Sequence, residues 1–144
     1  AHNTNKRFST LFSTNPLPSS GKSKFAIRID NCKGVHPKLY VGVAAKELQG
    51  KPLGYKPGFY FISTFTPECN ISGLHFLKPA NFAKKDQIIS VLLDLDEGNI
   101  IFELDNKKIM EAKIPISTNQ NSNVFYPCVS LGEENGTVSF TWDG

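Results

Sequence analysis

The residues that could carry out chemistry in this sequence of 144 amino acids are few and far apart. Its three cysteines, Cys32, Cys69 and Cys128, are an odd number and form no CxxC pair. Structural zinc sites and disulfide frameworks need paired or regularly spaced cysteines. The pattern therefore favours free thiols in a reducing, intracellular compartment, either cytoplasmic or nuclear. Cys128 follows Pro127 in an apolar run, which favours a buried structural thiol over a nucleophile.

Histidines and carboxylates form no catalytic pattern either. The three histidines show no HxH or HExxH spacing. Asp94 and Asp96 are two residues apart, and paired carboxylates can do acid–base work or bind calcium, but residues 96–99 lack the ligand spacing of a calcium loop. No GxGxxG or GxxxxGK nucleotide loop occurs. We therefore predict no catalytic residue, no metal and no cofactor, and a hydrolase is disfavoured because it needs a nucleophile, a base and an orienting group.

The composition is that of a packed globular domain. The hydrophobic share of 40% and the eleven phenylalanines argue against disorder. The net charge of +3 is small, and no Lys/Arg-rich run interleaves with aromatic residues, so no nucleic-acid partner is expected. No apolar run approaches the roughly 18 residues of a membrane span, so no membrane association is expected. We predict a polar tail over residues 1–7 and one monomeric domain over residues 8–142.

Residues 88–109 organise the rest of the chain. Two apolar runs flank residues 96–99, whose Asp, Gly and Asn favour a tight turn. In the second run Ile100, Phe102 and Leu104 alternate with other residues, which places them on one face of a strand. A β-meander is therefore predicted, with a second turn at Asp105-Asn106. The predicted antiparallel partners are residues 88–95 and 100–104, and the predicted buried residues are Leu93 and Phe102.

Short strands with turns between them fill most of the remaining sequence. Gly42, inside an apolar run, indicates the close approach of another backbone or a bulge. Pro127 implies a sheet edge, a bulge or the start of a strand. No long helix is indicated, so the fold class is all-β, a β-sandwich. The predicted strands are residues 25–30, 39–44, 59–65, 124–131 and 137–142, and the predicted loops include residues 47–58, 66–74 and 75–85.

Four segments in a fixed order resemble the SPRY domain family over about 120 residues. They are residues 18–29, residues 40–44 (Tyr-Val-Gly-Val-Ala), residues 86–104 with Leu-Asp-Leu-Asp-Glu-Gly-Asn-Ile-Ile-Phe, and Phe-Tyr-Pro-Cys-Val-Ser-Leu at residues 125–131 with the final strand. The sequence departs from the family where Asp105-Asn106 replaces a common Asn-Gly, and Asn also tolerates a left-handed backbone.

The resemblance implies a bent, jelly-roll-related sandwich of two antiparallel sheets that is not catalytic. It implies a protein-interaction module that binds a peptide or a folded protein through loops at one end. Such modules often act as scaffolds or as the substrate-recruiting part of ubiquitin ligases. The alternative is a carbohydrate-binding, lectin-like sandwich, because lectin jelly rolls share this gross architecture.

Matching to the family places three stretches at the binding end, namely residues 15–20, 53–58 and 132–135. The prolines of the first stretch would hold a rigid backbone that loses little entropy on binding. Tyr55 would be an amphipathic anchor, whereas Phe59 and Phe61, which alternate around Tyr60, are expected to fill the core. The predicted partner-binding residues are Asn15, Pro16, Leu17, Pro18, Tyr55, Lys56, Gly132, Glu133, Glu134 and Asn135.

Overall fold

Strands are almost the only regular secondary structure in the part of the chain that the structure describes. The computed structural model describes residues 2–3, 9–31, 39–51, 58–63, 68–71, 74–77, 84–116, 123–132 and 136–143. The strands are β1 (His2–Asn3), β2 (Ser9–Phe12), β3 (Lys22–Asn31), β4 (Leu39–Ala45), β5 (Phe59–Ser63), β6 (Glu68–Ile71), β7 (Leu74–Leu77), β8 (Ile88–Asp94), β9 (Asn99–Leu104), β10 (Lys107–Lys113), β11 (Phe125–Leu131) and β12 (Gly136–Asp143). A short 3-10 turn, Lys46–Leu48, follows β4.

These strands form two antiparallel sheets, as the sequence predicts. Sheet A has the order β1-β12-β3-β8-β9-β10, and sheet B has the order β2-β11-β4-β5-β6-β7. Apolar residues from every second position of the central strands in both sheets form one shared core. The fold is therefore a β-sandwich in which each sheet contributes its inner face.

The predicted meander is confirmed by the pairing of β8, β9 and β10. β8 pairs antiparallel with β9, so that Asp94 stands opposite Asn99 and Val91 stands opposite Phe102. The turn between them is stabilised by Asp94, whose carboxylate accepts hydrogen bonds from two backbone N–H groups of the turn, each at 3.0 Å. Phe102 is fully buried, and Leu93 is 1% exposed. The second turn is also present, because Asp105 and Asn106 have positive φ angles of 49° and 68°.

Sheet B has a second apolar cluster on its outer face. Ala44, Phe59, Phe61 and Cys128 are buried there, apart from the main core. Burial of Phe59 and Phe61 follows the prediction. Tyr60, which stands between them in β5, is only 4% exposed and lies in the shared core. It is therefore a core residue and not a surface aromatic.

The close backbone approach predicted at Gly42 is confirmed. A Cβ atom at this position would lie 1.9 Å from the carbonyl oxygen of Tyr60 and 2.6 Å from the Cα of Phe61. Real Cβ contacts do not come so close to backbone atoms, so only glycine fits between β4 and β5 here.

Pro127 lies inside β11, a strand with neighbours on both sides. Its carbonyl accepts a hydrogen bond of 3.0 Å from the N–H of Ser13, just beyond the end of β2. In antiparallel strands the N and O atoms of one residue point to the same side, so the proline nitrogen faces the place where β2 stops. The missing N–H therefore faces the end of β2, and the pairing of β11 with β4 is unaffected.

The prediction of loops over residues 66–74 and 75–85 is wrong in part. Residues Glu68–Ile71 and Leu74–Leu77 form β6 and β7, which extend sheet B beyond β5. Each strand has only four residues, too few to show a period of two between polar neighbours. β6 pairs with β5 and β7 pairs with β6, so their strand conformation depends on tertiary pairing that the local sequence does not show.

Candidate functional site

The direction of the strands decides which connections share an end of the sandwich. β4 runs from Leu39 to Ala45, and β11 runs back beside it, with Phe125 opposite Ala45 and Leu131 opposite Leu39. The chain before Phe125 and the chain after Ala45 therefore lie at the same end. Gly132, which follows Leu131, lies at the other end, about 20 Å away at roughly 3.4 Å per strand residue.

Four described segments meet at the end marked by Ala45, and we call this surface the loop end. They are residues 13–21, 46–51, 95–98 and 114–116. Lys46 N–H donates to the carbonyl of Val124 at 3.0 Å, which joins the segment after β4 to the chain entering β11. Ala45 N–H donates to the carbonyl of Gly58 at 2.8 Å, so both flanks of the β4–β5 connection lie at this end.

The hairpin turn between β8 and β9 joins the other segments of the loop end. Leu95 N–H donates to the carbonyl of Gly21 at 2.9 Å, and Gly21 N–H donates to the Asp96 carboxylate at 3.1 Å. Ile114 N–H donates to the carbonyl of Gly98 at 2.8 Å. Three segments that are far apart in sequence are thereby fixed relative to one another.

Gly98 is required by this arrangement for two reasons. Its φ angle is +75°, a backbone conformation that residues with a Cβ atom rarely adopt. A Cβ would also lie 2.9 Å from the carbonyl oxygen of Ile114 and 3.0 Å from the Cδ1 atom of Ile116. Ile116 is one of two large hydrophobic residues that are exposed in the described part of the chain, at 39%. The turn therefore supports an apolar side chain at the surface of the loop end.

Residues 16–18, Pro-Leu-Pro, form an anchored loop. Leu17 is 3% exposed and belongs to the shared core, and its N–H donates to the carbonyl of Phe125 at 2.8 Å. Pro16 and Pro18 are exposed on either side. The buried side chain and the backbone hydrogen bond of Leu17 thus hold two prolines, whose φ angles are fixed, at the surface. A ligand that bound them would cause little loss of conformational entropy.

The described loop end carries exposed charges of both signs. Neither sign dominates among these described residues. Mixed charge with an apolar residue is typical of the polar rim of a protein–protein interface. The exposed charged residues at or beside it are Lys22, Lys46, Glu47, Lys51, Asp96, Glu97 and Lys113.

The predicted binding residues are only partly brought together. Asn15, Pro16 and Pro18 are exposed at the loop end. Leu17 is a correction, because its buried side chain stabilises the loop from inside and is not available to a partner. Gly132 is a second correction, because the strand register places it at the opposite end. Tyr55, Lys56, Glu133, Glu134 and Asn135 lie outside the described residues.

Sequence reasoning missed three segments of the loop end, residues 46–51, 95–98 and 114–116. A signal for two of them was present. Consecutive antiparallel strands run in opposite directions, so successive connections fall at alternate ends of a sandwich. When the connections are counted along the chain from residues 13–21, every second connection falls at the same end. The β8–β9 and β10–β11 connections are among them. The same count places the β11–β12 connection opposite.

The opposite end is held by Asp105. One carboxylate oxygen accepts from the N–H of Ile88 at 2.9 Å, and the other accepts from the side chain of Gln87 at 2.9 Å. Asp105 N–H donates to the carbonyl of Ile88 at 2.9 Å. Gln87 in turn accepts from the N–H of Lys84 at 2.7 Å. These side chains are committed to joining the β9–β10 turn to the chain before β8.

Reactive chemistry is disfavoured at the one cysteine whose side chain the structure describes. Cys128 is a free, fully buried thiol, and burial raises its pKa to about 12. It stays protonated at neutral pH, and a thiol is a nucleophile only as the thiolate. Within the described residues no group of three His, Cys, Asp or Glu side chains could hold a metal ion. Nor does that part of the chain contain a helix that is long and apolar enough to cross a membrane.

Two antiparallel sheets that pack face to face around one core define the class of β-sandwich domains. Within that class, the chain belongs to the SPRY domain family, whose model matches residues 22–143. SPRY domains are protein–protein interaction modules. No curated protein matches the sequence significantly.

Solved SPRY domains share the fold. The SPRY domain of human HERC1 matches with a TM-score of 0.73 at 14% identity, covering 94% of this chain and 83% of that one. Another human SPRY domain matches with a TM-score of 0.72 at 15% identity, covering 96% and 86%. The PSpry domain of TRIM65 matches with a TM-score of 0.67 at 13% identity, covering 94% and 70%. At these identities the likeness concerns the backbone arrangement alone.

Proposed function

We propose that this SPRY domain is a non-catalytic module that binds a peptide or a folded protein partner through the loop end. The observation that supports this most is the backbone hydrogen bonding that joins residues 13–21, 95–98 and 114–116 into one surface. A surface held by its own backbone needs little reordering on binding, so more of the contact energy is retained as affinity.

The exposed side chains of this surface suit a protein ligand. Pro16 and Pro18 are restricted residues, and Ile116 is an exposed apolar group. In the sequence, Tyr55 and Lys56 lie between Lys51, which belongs to the loop end, and Gly58, which borders it. Tyr55 and Lys56 therefore stay in the proposed site. Tyr55 would supply an aromatic anchor, and Tyr55→Ala is expected to weaken partner binding by about 1–3 kcal/mol.

In its cellular setting the domain would act inside the cell as the recruiting or scaffolding part of a larger protein. Its contribution would be to hold a partner, because no nucleophile, base and orienting group are assembled in the described residues. A recruiting role within a ubiquitin ligase is one form of this proposal.

Partner capture with matched variants tests the proposal. The wild-type domain is immobilised, exposed to an extract of the source cells, and the bound proteins are quantified by mass spectrometry. The loop-end variant combines Pro16→Glu with Ile116→Glu. The control combines Lys84→Ala with Lys85→Ala, two exposed residues at the opposite end. Both variants lower the net charge by two, so a general charge effect acts on both.

We expect the loop-end variant to lose about tenfold or more of its specific partner and the control to bind like the wild type. Equal loss in both variants, or loss in the control alone, would contradict the proposal. A glycan array run in parallel distinguishes the protein-binding function from the lectin alternative. Specific glycan binding, with no partner captured, would replace the protein-binding function with a carbohydrate-binding one.

A further inference from the structure

Residues 46–51 form the part of the loop end that follows β4 of sheet B. Five of these six residues are exposed, and Leu48 alone is half-buried. The 3-10 turn that begins the segment has no side-chain hydrogen bond at its N-terminal cap. The segment therefore exposes its polar side chains and turns one apolar side chain towards the sandwich.

Backbone hydrogen bonds attach only the beginning of this segment to the sheets. Lys46 N–H donates to the carbonyl of Val124 at 3.0 Å. The later bonds lie within the segment. The N–H of Gln49 donates to the carbonyl of Lys46 at 3.2 Å, and the N–H of Lys51 donates to the carbonyl of Leu48 at 3.0 Å. Among the described residues, no hydrogen bond fixes the part of the segment beyond Lys46 to either sheet.

The side chain of Leu48 supplies that attachment. It packs against the buried cluster on the outer face of sheet B, which includes Phe59, Phe61 and Cys128. It also lies against the backbone of Gly58, because a Cβ atom there would come within 2.8 Å of Leu48 Cδ1 and 3.6 Å of Leu48 Cγ. The φ angle of Gly58 is +94°, so the contact depends on glycine for its backbone conformation as well as for the space.

We propose that Leu48 is a positioning residue of the loop end. Its contacts with the outer-face cluster and with Gly58 hold residues 46–51 in place, so that the charged side chains of this segment are ready to meet a partner. The inference rests on the proposed function, because positioning matters only if the partner binds at the loop end. Leu48 resembles Leu17 of the anchored loop, since one apolar side chain fixes exposed neighbours and lowers the entropy lost on binding.

A role of Leu48 in stability alone would have a different consequence for binding. Apparent affinity falls in proportion to the fraction of molecules that are competent to bind. Lower global stability does not change this fraction while nearly all molecules stay folded. Release of residues 46–51 lowers it even in folded molecules. A loss of affinity without unfolding therefore distinguishes positioning from stability.

Four variants and one peptide probe test the proposal. The probe is the strongest binder from a phage-displayed library of random peptides selected on the immobilised wild-type domain. Leu48→Ala removes the contact, Gly58→Ala presses a new Cβ atom against Leu48, and Leu48→Met keeps an apolar side chain of similar volume. Cys128→Ala is the control, because it perturbs the same cluster from β11 and leaves the contact between Leu48 and Gly58 in place.

Three quantities are measured on every variant. Calorimetry gives the affinity for the peptide, urea unfolding gives the stability, and NMR gives the solvent exchange of the Gln49 and Lys51 amides. These two amides donate the hydrogen bonds within the segment, so their exchange reports its local order.

We expect Leu48→Ala and Gly58→Ala to bind the peptide about fivefold or more weakly, because the segment must then be ordered on binding. Leu48→Met and Cys128→Ala should stay within about twofold of the wild type. The amides of Gln49 and Lys51 should exchange about fivefold or more faster in Leu48→Ala, and Cys128→Ala should leave their exchange unchanged.

Four other results would overturn the inference. If Leu48→Ala binds like the wild type while Pro16→Glu with Ile116→Glu abolishes binding, the proposed function stands and Leu48 positions nothing. Loss in Leu48→Ala without loss in Gly58→Ala would mean that Leu48 contacts the ligand directly. Equal losses in Leu48→Ala and Cys128→Ala would assign the effect to global stability. No selected peptide, or a peptide that no loop-end substitution weakens, would remove the proposed function together with the inference.

Discussion

The two ends of the sandwich differ in how far side chains take part in the hydrogen bonds between their segments. At the loop end the segments are joined mainly through backbone groups, as between Leu95 and Gly21 and between Ile114 and Gly98. At the opposite end backbone bonds join Ile29 to residues 86 and 87, and the carboxylate of Asp105 adds side-chain bonds between the β9–β10 turn and the chain before β8. Backbone junctions leave side chains free to vary, whereas side-chain junctions commit them to the fold. Under the proposed function, this difference would let side chains at the loop end vary for partner binding while those at the other end keep the fold.

The largest expected effect is on the core that both ends share. Phe102→Ala removes a fully buried ring from β9, a strand that spans the distance between the ends. The free energy of unfolding should fall by about 3–5 kcal/mol, because a cavity remains where the ring packed. Urea unfolding measures it. A loss below about 1 kcal/mol would mean that Phe102 is not a core residue.

The next largest loss of stability is expected at Gly98, at the loop end. Gly98→Ala should lower the free energy of unfolding by about 2–4 kcal/mol, because the backbone has a positive φ angle and the new Cβ meets the carbonyl of Ile114. Gly50→Ala is the matched control. Gly50 has a φ of +84°, but nothing lies within 4 Å of its Cβ position. Thermal unfolding should show a much larger loss of stability for Gly98→Ala than for Gly50→Ala. Equal losses would show that the contact with the carbonyl of Ile114 has no effect.

A smaller effect is expected at the opposite end. Asp105→Asn keeps a residue that tolerates the φ of +49° but replaces one acceptor oxygen with an amide donor. Stability should fall by about 0.5–1.5 kcal/mol, because the bond from Gln87 or Ile88 is lost. Partner affinity should not change, as judged by calorimetry with a captured partner. A drop in affinity larger than the drop in stability would contradict the division of roles between the ends.

The smallest stability effect is expected in the anchored loop. Pro16→Ala with Pro18→Ala should cost about 1 kcal/mol or less in unfolding free energy, chiefly because the unfolded chain gains freedom. Partner binding should weaken by a comparable or larger amount, since the loop must then be ordered on binding. Chemical denaturation and calorimetry on the same samples test this pair of outcomes. Unchanged affinity would show that the prolines do not contact or preorganise the site.

Sequence patterns predicted the meander well because the residues that determine its turns and strands are neighbours in the sequence. The residues of the turn after Asp94 and the pair Asp105-Asn106 carry the required φ preferences themselves. The shared core was predictable for the same reason, since Phe25, Ile27 and Ile29 alternate. By contrast, the strand conformation of β6 and β7 depends on pairing, of β6 with β5 and of β7 with β6. The family resemblance grouped Gly132 with Pro16 at one end of the sandwich, but the direction of β11 places them at opposite ends.

Hydrogen exchange of the whole domain bound to its captured partner tests the division of the two ends most directly. The measurement compares amide protection, with and without partner, at the loop end and at residues 84–88, 105–107 and 132 of the opposite end. Increased protection at residues 13–21, 46–51, 95–98 and 114–116, with no change at the opposite end, is the predicted result. Protection centred on residues 84–88 and 105–107 would contradict it, because Asp105 and its neighbours would then form the binding surface.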